Sequence, residues 1–223
     1  MNVSDAVRTR RSVRAFLDRA VDPALLRELV ALAARAPSGG NLQPWRVVVL
    51  GGDALGALKA EMRERLASGA PPDPEEYPIY PPNLHEPYRT CRYALGEALY
   101  ARLGIPRADK AGRARQFERN YALFDAPVGL FCYIDRRMGR AQWSDLGMYL
   151  QTLMLLLREH DLDSCPQESW STYHASVDRH ASAPAEWMLF CGMAIGYADP
   201  QAPANQLVSE RLPLAQFAQF IGI

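Results

Sequence analysis

Three short apolar runs decide what this chain can fold into. Arg46–Leu50 (RVVVL), Val128–Ile134 (VGLFCYI) and Trp187–Ile195 (WMLFCGMAI) are bounded by turn residues and carry the β-branched and aromatic side chains of strands. The second and third are apolar at nearly every position, as strands buried on both faces must be. Helical patterns fill the long stretches between them, so the strict strand–helix–strand alternation of a doubly wound sheet is missing, and there is no internal repeat. The pattern predicts an α+β domain over residues 1–223, with a small central mixed sheet wrapped by helices.

The helices announce themselves by caps and spacing. Ser4 is positioned to cap a helix through about Arg10, and Asp22-Pro23 opens another whose Leu25, Leu26, Leu29, Val30 and Ala33 share a face before Pro37 stops it. Asp53 is placed to cap a third, to about Ala67, and helical patterns return over Thr90–Leu103 and Arg107–Tyr121. Gln142–His160 is apolar nearly all round, which predicts burial on several sides, in a core or a subunit interface. The tail forms a short helix from Leu214 and ends in Phe217, Phe220 and Ile221, an apolar terminus suited to docking on another subunit.

Residues 69–90 have a different character. Pro71, Pro72, Pro74, Pro78, Pro81, Pro82 and Pro87 exclude regular helix and central strand, and Tyr77, Tyr80 and Tyr88 add aromatic surface that a disordered linker lacks. The segment reads as a lid or a partner-embracing arm.

Lys and Arg total 25 against 25 Asp and Glu, so no global field recruits nucleic acid or an anionic membrane. Cys91, Cys132, Cys165 and Cys191 are widely spaced with no C-x-x-C, which fits a reducing compartment. Without a leader-like N-terminus, and with its longest apolar stretch broken by Gln151 and Thr152, the chain reads as cytoplasmic.

Against this neutral background, Arg10, Arg11 and Arg14 cluster around Ser12, and guanidinium forks suit phosphate and carboxylate oxygens. One helix later, Pro37-Ser38-Gly39-Gly40-Asn41-Leu42-Gln43 pairs a glycine turn with side chains that can donate to the edge of a heteroaromatic ring. Anion clamp plus edge-reader points to a phosphorylated planar cofactor; an exposed basic helix end beside an ordinary loop explains the same residues. Asp163-Ser164-Cys165-Pro166-Gln167-Glu168-Ser169-Trp170 reads as a polar loop whose backbone N–H groups could face a ligand, and Cys165 has no evident His to activate it as a nucleophile. There is no G-x-G-x-x-G after a strand, no phosphate-binding G-x-x-x-x-G-K-[ST] and no G-x-S-x-G elbow. His85, His160, His174 and His180 show no ligand spacing, so no metal site is expected.

With RRSVR, APSGGNLQPW, DAPVGLFCYI, LDSCPQESW, GYADP and SERLPL in that order, the chain resembles the nitroreductase family over essentially its whole length. The resemblance implies a homodimeric sandwich with two FMN sites at the interface. Arg10, Arg11, Ser12 and Arg14 match the family's phosphate and ribityl motif, and Arg211 its C-terminal phosphate residue. Pro37, Ser38, Gly39 and Asn41 match the loop lent by the other subunit, and Pro166, Gln167, Glu168 and Ser169 the loop beside flavin N5. Ser169 stands where many relatives have glycine, and Ser209 where some have a second basic residue.

The implied activity is hydride transfer from NADH or NADPH through the flavin to a nitroaromatic, quinone or similar planar acceptor, in a ping-pong scheme with no catalytic side chain. The Tyr77–Tyr88 arm and Phe124 are candidates for shaping the acceptor pocket. Two alternatives remain: the same fold with reductive dehalogenation or oxygen-dependent flavin chemistry, and a flavin-binding protein without turnover.

Overall fold

The computed structural model describes residues 1–223. In chain order the elements are α1 (Val3–Thr9), α2 (Pro23–Ala33), β1 (Arg46–Gly51), α3 (Gly52–Ala67), α4 (Tyr88–Arg102), α5 (Lys110–Glu118), β2 (Val128–Asp135), α6 (Arg140–Glu159), β3 (Asp163–Gln167), α7 (His174–Ala181) and β4 (Trp187–Gly196), with short 3-10 turns between them. Asp22 caps α2 as expected, its carboxylate accepting from Ala24 N–H at 2.9 Å. Two caps differ from expectation. Asn2, not Ser4, caps α1 by accepting from Asp5 N–H at 2.9 Å, and Gly51 precedes α3 with Asp53 inside its first turn.

The sheet order is β1-β2-β4-β3, antiparallel throughout rather than mixed; the one parallel pairing is an isolated bridge from Ser12 to Ser164. β2 and β4 hold the centre, and every residue from Val128 to Ile134 is buried. Strand alternation sorts those side chains into two cores. Leu130, Cys132 and Ile134 pack with Met193 and Ile195 against Leu26 and Leu29 of α2 and Leu146, Tyr149, Leu153 and Leu157 of α6. Phe131 and Tyr133 pack on the opposite face with Leu55, Leu58 and Met62 of α3, Trp170, and the N-terminal Val13 and Phe16.

Within the chain α6 is buried on one face, not on several. Its covered positions, among them Asp145, Tyr149, Leu153 and Leu157, recur at helical spacing, whereas Gly147 and Met148 are exposed. No helix is long and apolar enough to cross a membrane.

The proline-rich segment is irregular up to Pro87, and α4 begins at Tyr88. Its first half is pinned to the body. Arg65 pairs with Asp73 at 2.5 Å, Ala175 N–H donates to the same carboxylate at 2.9 Å, and Arg136 reaches Glu76 at 2.6 Å. Tyr77 donates to the Phe190 carbonyl and packs edge-on against Trp143 with ring centroids 4.8 Å apart. The second half, from Tyr80, is mostly exposed and feeds into α4, none of whose residues is buried.

Burial raises the Asp73 carboxyl's pKa, but the Arg65 and Ala175 hydrogen bonds outweigh it and the net shift is downward. That contribution is present above the ordinary value of 3.8 and is lost as pH falls through the depressed one. Asp73→Asn removes the charge at neutral pH. It is expected to release the arm, seen as faster limited proteolysis between residues 70 and 87 with the rest of the chain intact.

Gly192 is where close packing leaves least room. A Cβ there would sit 2.4 Å from Cδ1 of Trp170, which is fully buried under the sheet. Gly192→Ala is expected to cost about 1–3 kcal/mol by overpacking, read as a lower denaturation midpoint at unchanged m-value.

Candidate active site

Residues 12–17 form an extended segment stitched along the edge of the sheet. Ser12 bridges Ser164 and Val13 N–H donates to the Ser164 carbonyl at 3.1 Å. Phe16 pairs with Ala198, and Leu17 N–H donates to Tyr197 at 2.8 Å. Val13 and Phe16 anchor it in the core. Buried Asn205 completes the seam: its Oδ1 accepts from Arg14 N–H at 2.8 Å, and its Nδ2 donates to the carbonyls of Ala15 at 2.8 Å and Asp199 at 2.9 Å.

This seam gathers the predicted cations. Arg10 is half-buried, and its pKa is lowered by burial and then by the nearby Arg211 guanidinium. Cys165 feels the charges of Arg14 and Arg10 and bonds toward Ser12. Arg10, Arg11, Ser12, Arg14 and Arg211 are thus brought to one end of β3. None of these four arginines has an ion-pair partner, although nine other arginines do. Arg11 lies near Asp163, but that carboxylate is taken by Arg158 at 2.9 Å, and burial raises its pKa despite both cations. Arg211 is held by Ser209: its Nη1 donates to the Ser209 hydroxyl at 2.7 Å and carbonyl at 3.1 Å. The serine at the position of a second basic residue therefore orients the remaining one. Guanidiniums crowded without a counterion make a site for an anion.

The second segment is a strand where a loop was expected. Asp163–Gln167 pairs with β4 as the edge strand β3, which tolerates Pro166 because an edge strand leaves one row of N–H groups unpaired. A 3-10 turn, Glu168–Tyr173, follows. Gln167 Nε2 donates to the Asn120 carbonyl at 2.7 Å, while its Oε1 and the Ser169 hydroxyl are buried without partners. Glu168 keeps solvent access, yet the protein around its carboxyl raises its pKa by desolvation. Pro166, Gln167, Glu168 and Ser169 lie at the end of the strand whose start pairs with Ser12, so the structure brings these two predicted segments together.

The third segment stands apart from them in its bonding. Pro37, Ser38, Gly39 and Asn41 form a tight loop with left-handed backbone at Gly40 (φ 57°), Asn41 (φ 57°) and Gln43 (φ 49°). Its hydrogen bonds run within itself, such as Gln43 N–H to Ser38 Oγ at 2.9 Å, and to Asp145 of α6, which accepts from Gly39 N–H at 3.3 Å. None reaches Arg10–Arg14, Pro166–Ser169 or Arg211.

One expectation about the pocket is corrected. Phe124 does not line a pocket: it is 1% exposed, locked in the core with Leu123 and Phe131. Cys165, for which the sequence offered no activating His, is buried, and burial raises its thiol pKa more than the neighbouring arginines lower it. Asn205 and Asp145 were missed. A lone Asn in a polar stretch, and an Asp inside an apolar helix, carry no local signal of the distant backbone they hold.

An α+β sandwich with an arginine cluster at the edge of an antiparallel sheet, and no dinucleotide fingerprint, defines the class. The chain belongs to the nitroreductase family, whose model matches residues 7–197. It is 37% identical over 223 residues to nitrobenzene nitroreductase of Ectopseudomonas oleovorans, covering 98% of this chain and 96% of that one. It is 37% identical to 4-nitrobenzoate reductase of Pseudomonas putida over 218 residues, covering 97% and 94%. Among solved structures it matches the FMN and NADPH-dependent nitroreductase NfnB of a Sphigopyxis strain with a TM-score of 0.96 at 47% identity, covering all of both chains. It matches NfnB of Mycobacterium smegmatis in complex with NADPH with a TM-score of 0.91 at 28% identity, covering 99% and 100%.

Asn205 bonds three backbone groups: Arg14 N–H, which has no other acceptor, and the Ala15 and Asp199 carbonyls, which also accept from Asp199 N–H at 3.0 Å and Ala202 N–H at 3.4 Å. Asn205→Ala is expected to lower stability by about 1–3 kcal/mol in urea unfolding, the cost of leaving one buried donor, Arg14 N–H, unpaired.

Proposed function

We propose that this chain is an FMN-dependent NAD(P)H oxidoreductase that reduces nitroaromatic or similar planar acceptors such as quinones. The observation that carries this is the convergence of Arg10, Arg14 and Arg211 without a carboxylate, a counterion deficit that a flavin phosphate would fill. The unpartnered buried Gln167 Oε1 and Ser169 hydroxyl are the polar groups of a site that fits a heteroaromatic edge. When bound, FMN would supply the two-electron hydride chemistry between NAD(P)H and the acceptor, which makes a ping-pong scheme the natural one.

The chain's own part is position and electrostatics. Arg10, Arg14 and Arg211 neutralise the phosphate, with Arg11 and Ser12 beside them. The Pro166–Ser169 segment, with its unpartnered Gln167 Oε1 and Ser169 hydroxyl, would hold the ring edge. Asp145 holds Gly39, so that Pro37, Ser38, Gly39 and Asn41 keep their left-handed turn ready for the flavin of a second subunit. The tethered half of the arm forms one wall and its free half a lid, within a single domain. A homodimer in the cytoplasm is part of this reading: the exposed outer face of α6 and the exposed Phe217, Phe220 and Ile221 are surfaces a second copy would cover.

The test is an anaerobic absorbance titration of the purified protein. Flavin bands that bleach with NADPH or NADH and return with a nitroaromatic are the expected result. Arg14→Ala and Arg211→Ala are each expected to weaken FMN binding at least about tenfold, as removal of a charge-assisted contact worth about 1.5–3 kcal/mol requires. A protein that stays colourless after incubation with excess FMN overturns the site, and flavin bands that NAD(P)H does not bleach overturn the reaction.

A further inference from the structure

A half-open cavity of about 460 Å³ lies between the outer half of the arm and the first turns of α4, and none of its lining residues belongs to the proposed flavin site. Tyr80, Pro82 and Leu84 line it from the arm, and Arg89, Arg92 and Tyr93 from the helix. Its size falls in the roughly 300–1,000 Å³ range of small-ligand sites. Gly96 faces it with open space where a side chain would stand.

The charges around it do not cancel. Arg89 is paired with Glu86, and Glu97 is engaged by Arg113 at 2.5 Å. Arg92 lies 4.1 Å over the Tyr80 ring and Arg107 lies 5.4 Å over Tyr93, neither with an ion-pair partner. Two guanidiniums are thus held on aromatic rings with no carboxylate bound to them, beside an apolar wall of proline and leucine. That combination suits a ligand with a flat heterocycle and a phosphate dianion. A single-ring carboxylic acid would leave most of the space empty and use one of the two cations.

The proposed reaction leaves half of its electron donor without a grip. The nicotinamide shares the acceptor's place, and the chain has no G-x-G-x-x-G segment to hold the remaining nucleotide. The helix that lines this cavity, α4, also packs beside the Pro203–Gln206 turn, whose Asn205 holds Arg14. At 1.5 Å per residue α4 is roughly 22 Å long, and it links the cavity to the turn that holds Arg14.

We propose that the cavity between the arm and α4 binds the 2′-phosphorylated adenosine half of NADPH, with Arg92 reading the 2′-phosphate. This rests on the donor assignment made under Proposed function and adds the residue that selects NADPH over NADH.

The probe is adenosine 2′,5′-bisphosphate, titrated calorimetrically into the FMN-incubated protein, with adenosine 5′-monophosphate as the comparison. The bisphosphate is expected to bind at least about tenfold more tightly. Arg92→Ala is expected to erase that difference, Arg92→Lys to restore part of it, and Arg102→Ala, on the same helix outside the cavity, to leave it unchanged. In turnover, Arg92→Ala is expected to raise KM for NADPH about tenfold, with KM for NADH, kcat and FMN content unchanged. Equal binding of the two nucleotides, an Arg92→Ala protein that still distinguishes them, or an Arg102→Ala protein that loses the distinction equally overturns the inference. Such a failure leaves the bleaching of the flavin by NADPH intact. Failure of the underlying reaction shows instead as a protein that NADPH does not bleach, whose cavity the calorimetric titration still reports.

Discussion

The seam between residues 12–17 and the rest of the sheet is the constraint on which the other features depend. It joins segments far apart in the chain: Ser164 on the edge strand, Tyr197 to Asp199 after the central strand, and Asn205 in the following turn. A further attachment comes from an unfavourable conformation. Leu123, Phe124 and Asp125 all adopt left-handed backbone, with φ of 53°, 53° and 69°, and the Phe124 carbonyl accepts from Phe16 N–H at 3.2 Å. Left-handed residues other than glycine cost about 1–2 kcal/mol each, so the turn persists because burial of Leu123 and Phe124 over-determines it. Strain and a buried amide together fix the segment that carries Arg10 and Arg14, and they do so before any ligand arrives.

The same sheet edge connects the arm to the site. Trp170 fills the space that Gly192 leaves open, and the 3-10 turn containing Trp170 begins at Glu168. Within that turn the Thr172 hydroxyl donates to the Ser169 carbonyl at 2.7 Å, and the Thr172 carbonyl accepts from Asp73 N–H at 2.9 Å. The root of the arm is therefore hydrogen-bonded to the turn that ends the Pro166–Ser169 segment. A displacement of Asp73 pulls on Thr172 and, through it, on the carbonyl of Ser169. Arm position and site geometry are linked by two hydrogen bonds rather than by a long pathway.

What the sequence made legible follows from which forces act locally. β1, β2 and β4 could be read because each is an unbroken apolar run bounded by turn residues; β2 and β4 are largely buried, whereas the edge strand β1 buries only Leu50. Asp22-Pro23 and Pro37 bound α2 through backbone chemistry that needs no tertiary context. β3 could not be read, because Asp163, Ser164 and Pro166 argue for a loop, and only pairing with β4 on one side and Ser12 on the other makes them extended. The sheet looked mixed for the same reason: strand direction is a property of connections, not of composition. Phe124 was misplaced because an aromatic beside a turn looks the same whether it points outward or into the core. The motif cations were visible one by one, but the approach of Arg10 to Arg211 is made by folding and leaves no trace in local pattern.

The loop at Pro37–Asn41 shows why a single chain carries an incomplete version of the proposed site. Asp145 is 3% exposed, yet its carboxylate has only the long 3.3 Å bond from Gly39, and Oδ2 has no partner. Leaving a polar oxygen buried and unpaired costs about 1–3 kcal/mol, which a fold tolerates where another molecule supplies the missing donor. The exposed face of α6 beside it, with Gly147 and Met148, offers a flat approach for that molecule. The C-terminal tail, with Phe217 at 67%, Phe220 at 60% and Ile221 at 82% exposure, offers apolar surface too concentrated for a solvated end. The proposed second copy of the chain would meet both needs at once. It would bring its own arginine seam toward this loop, so the proposed dimer is the unit in which clamp and edge-reader face one ring.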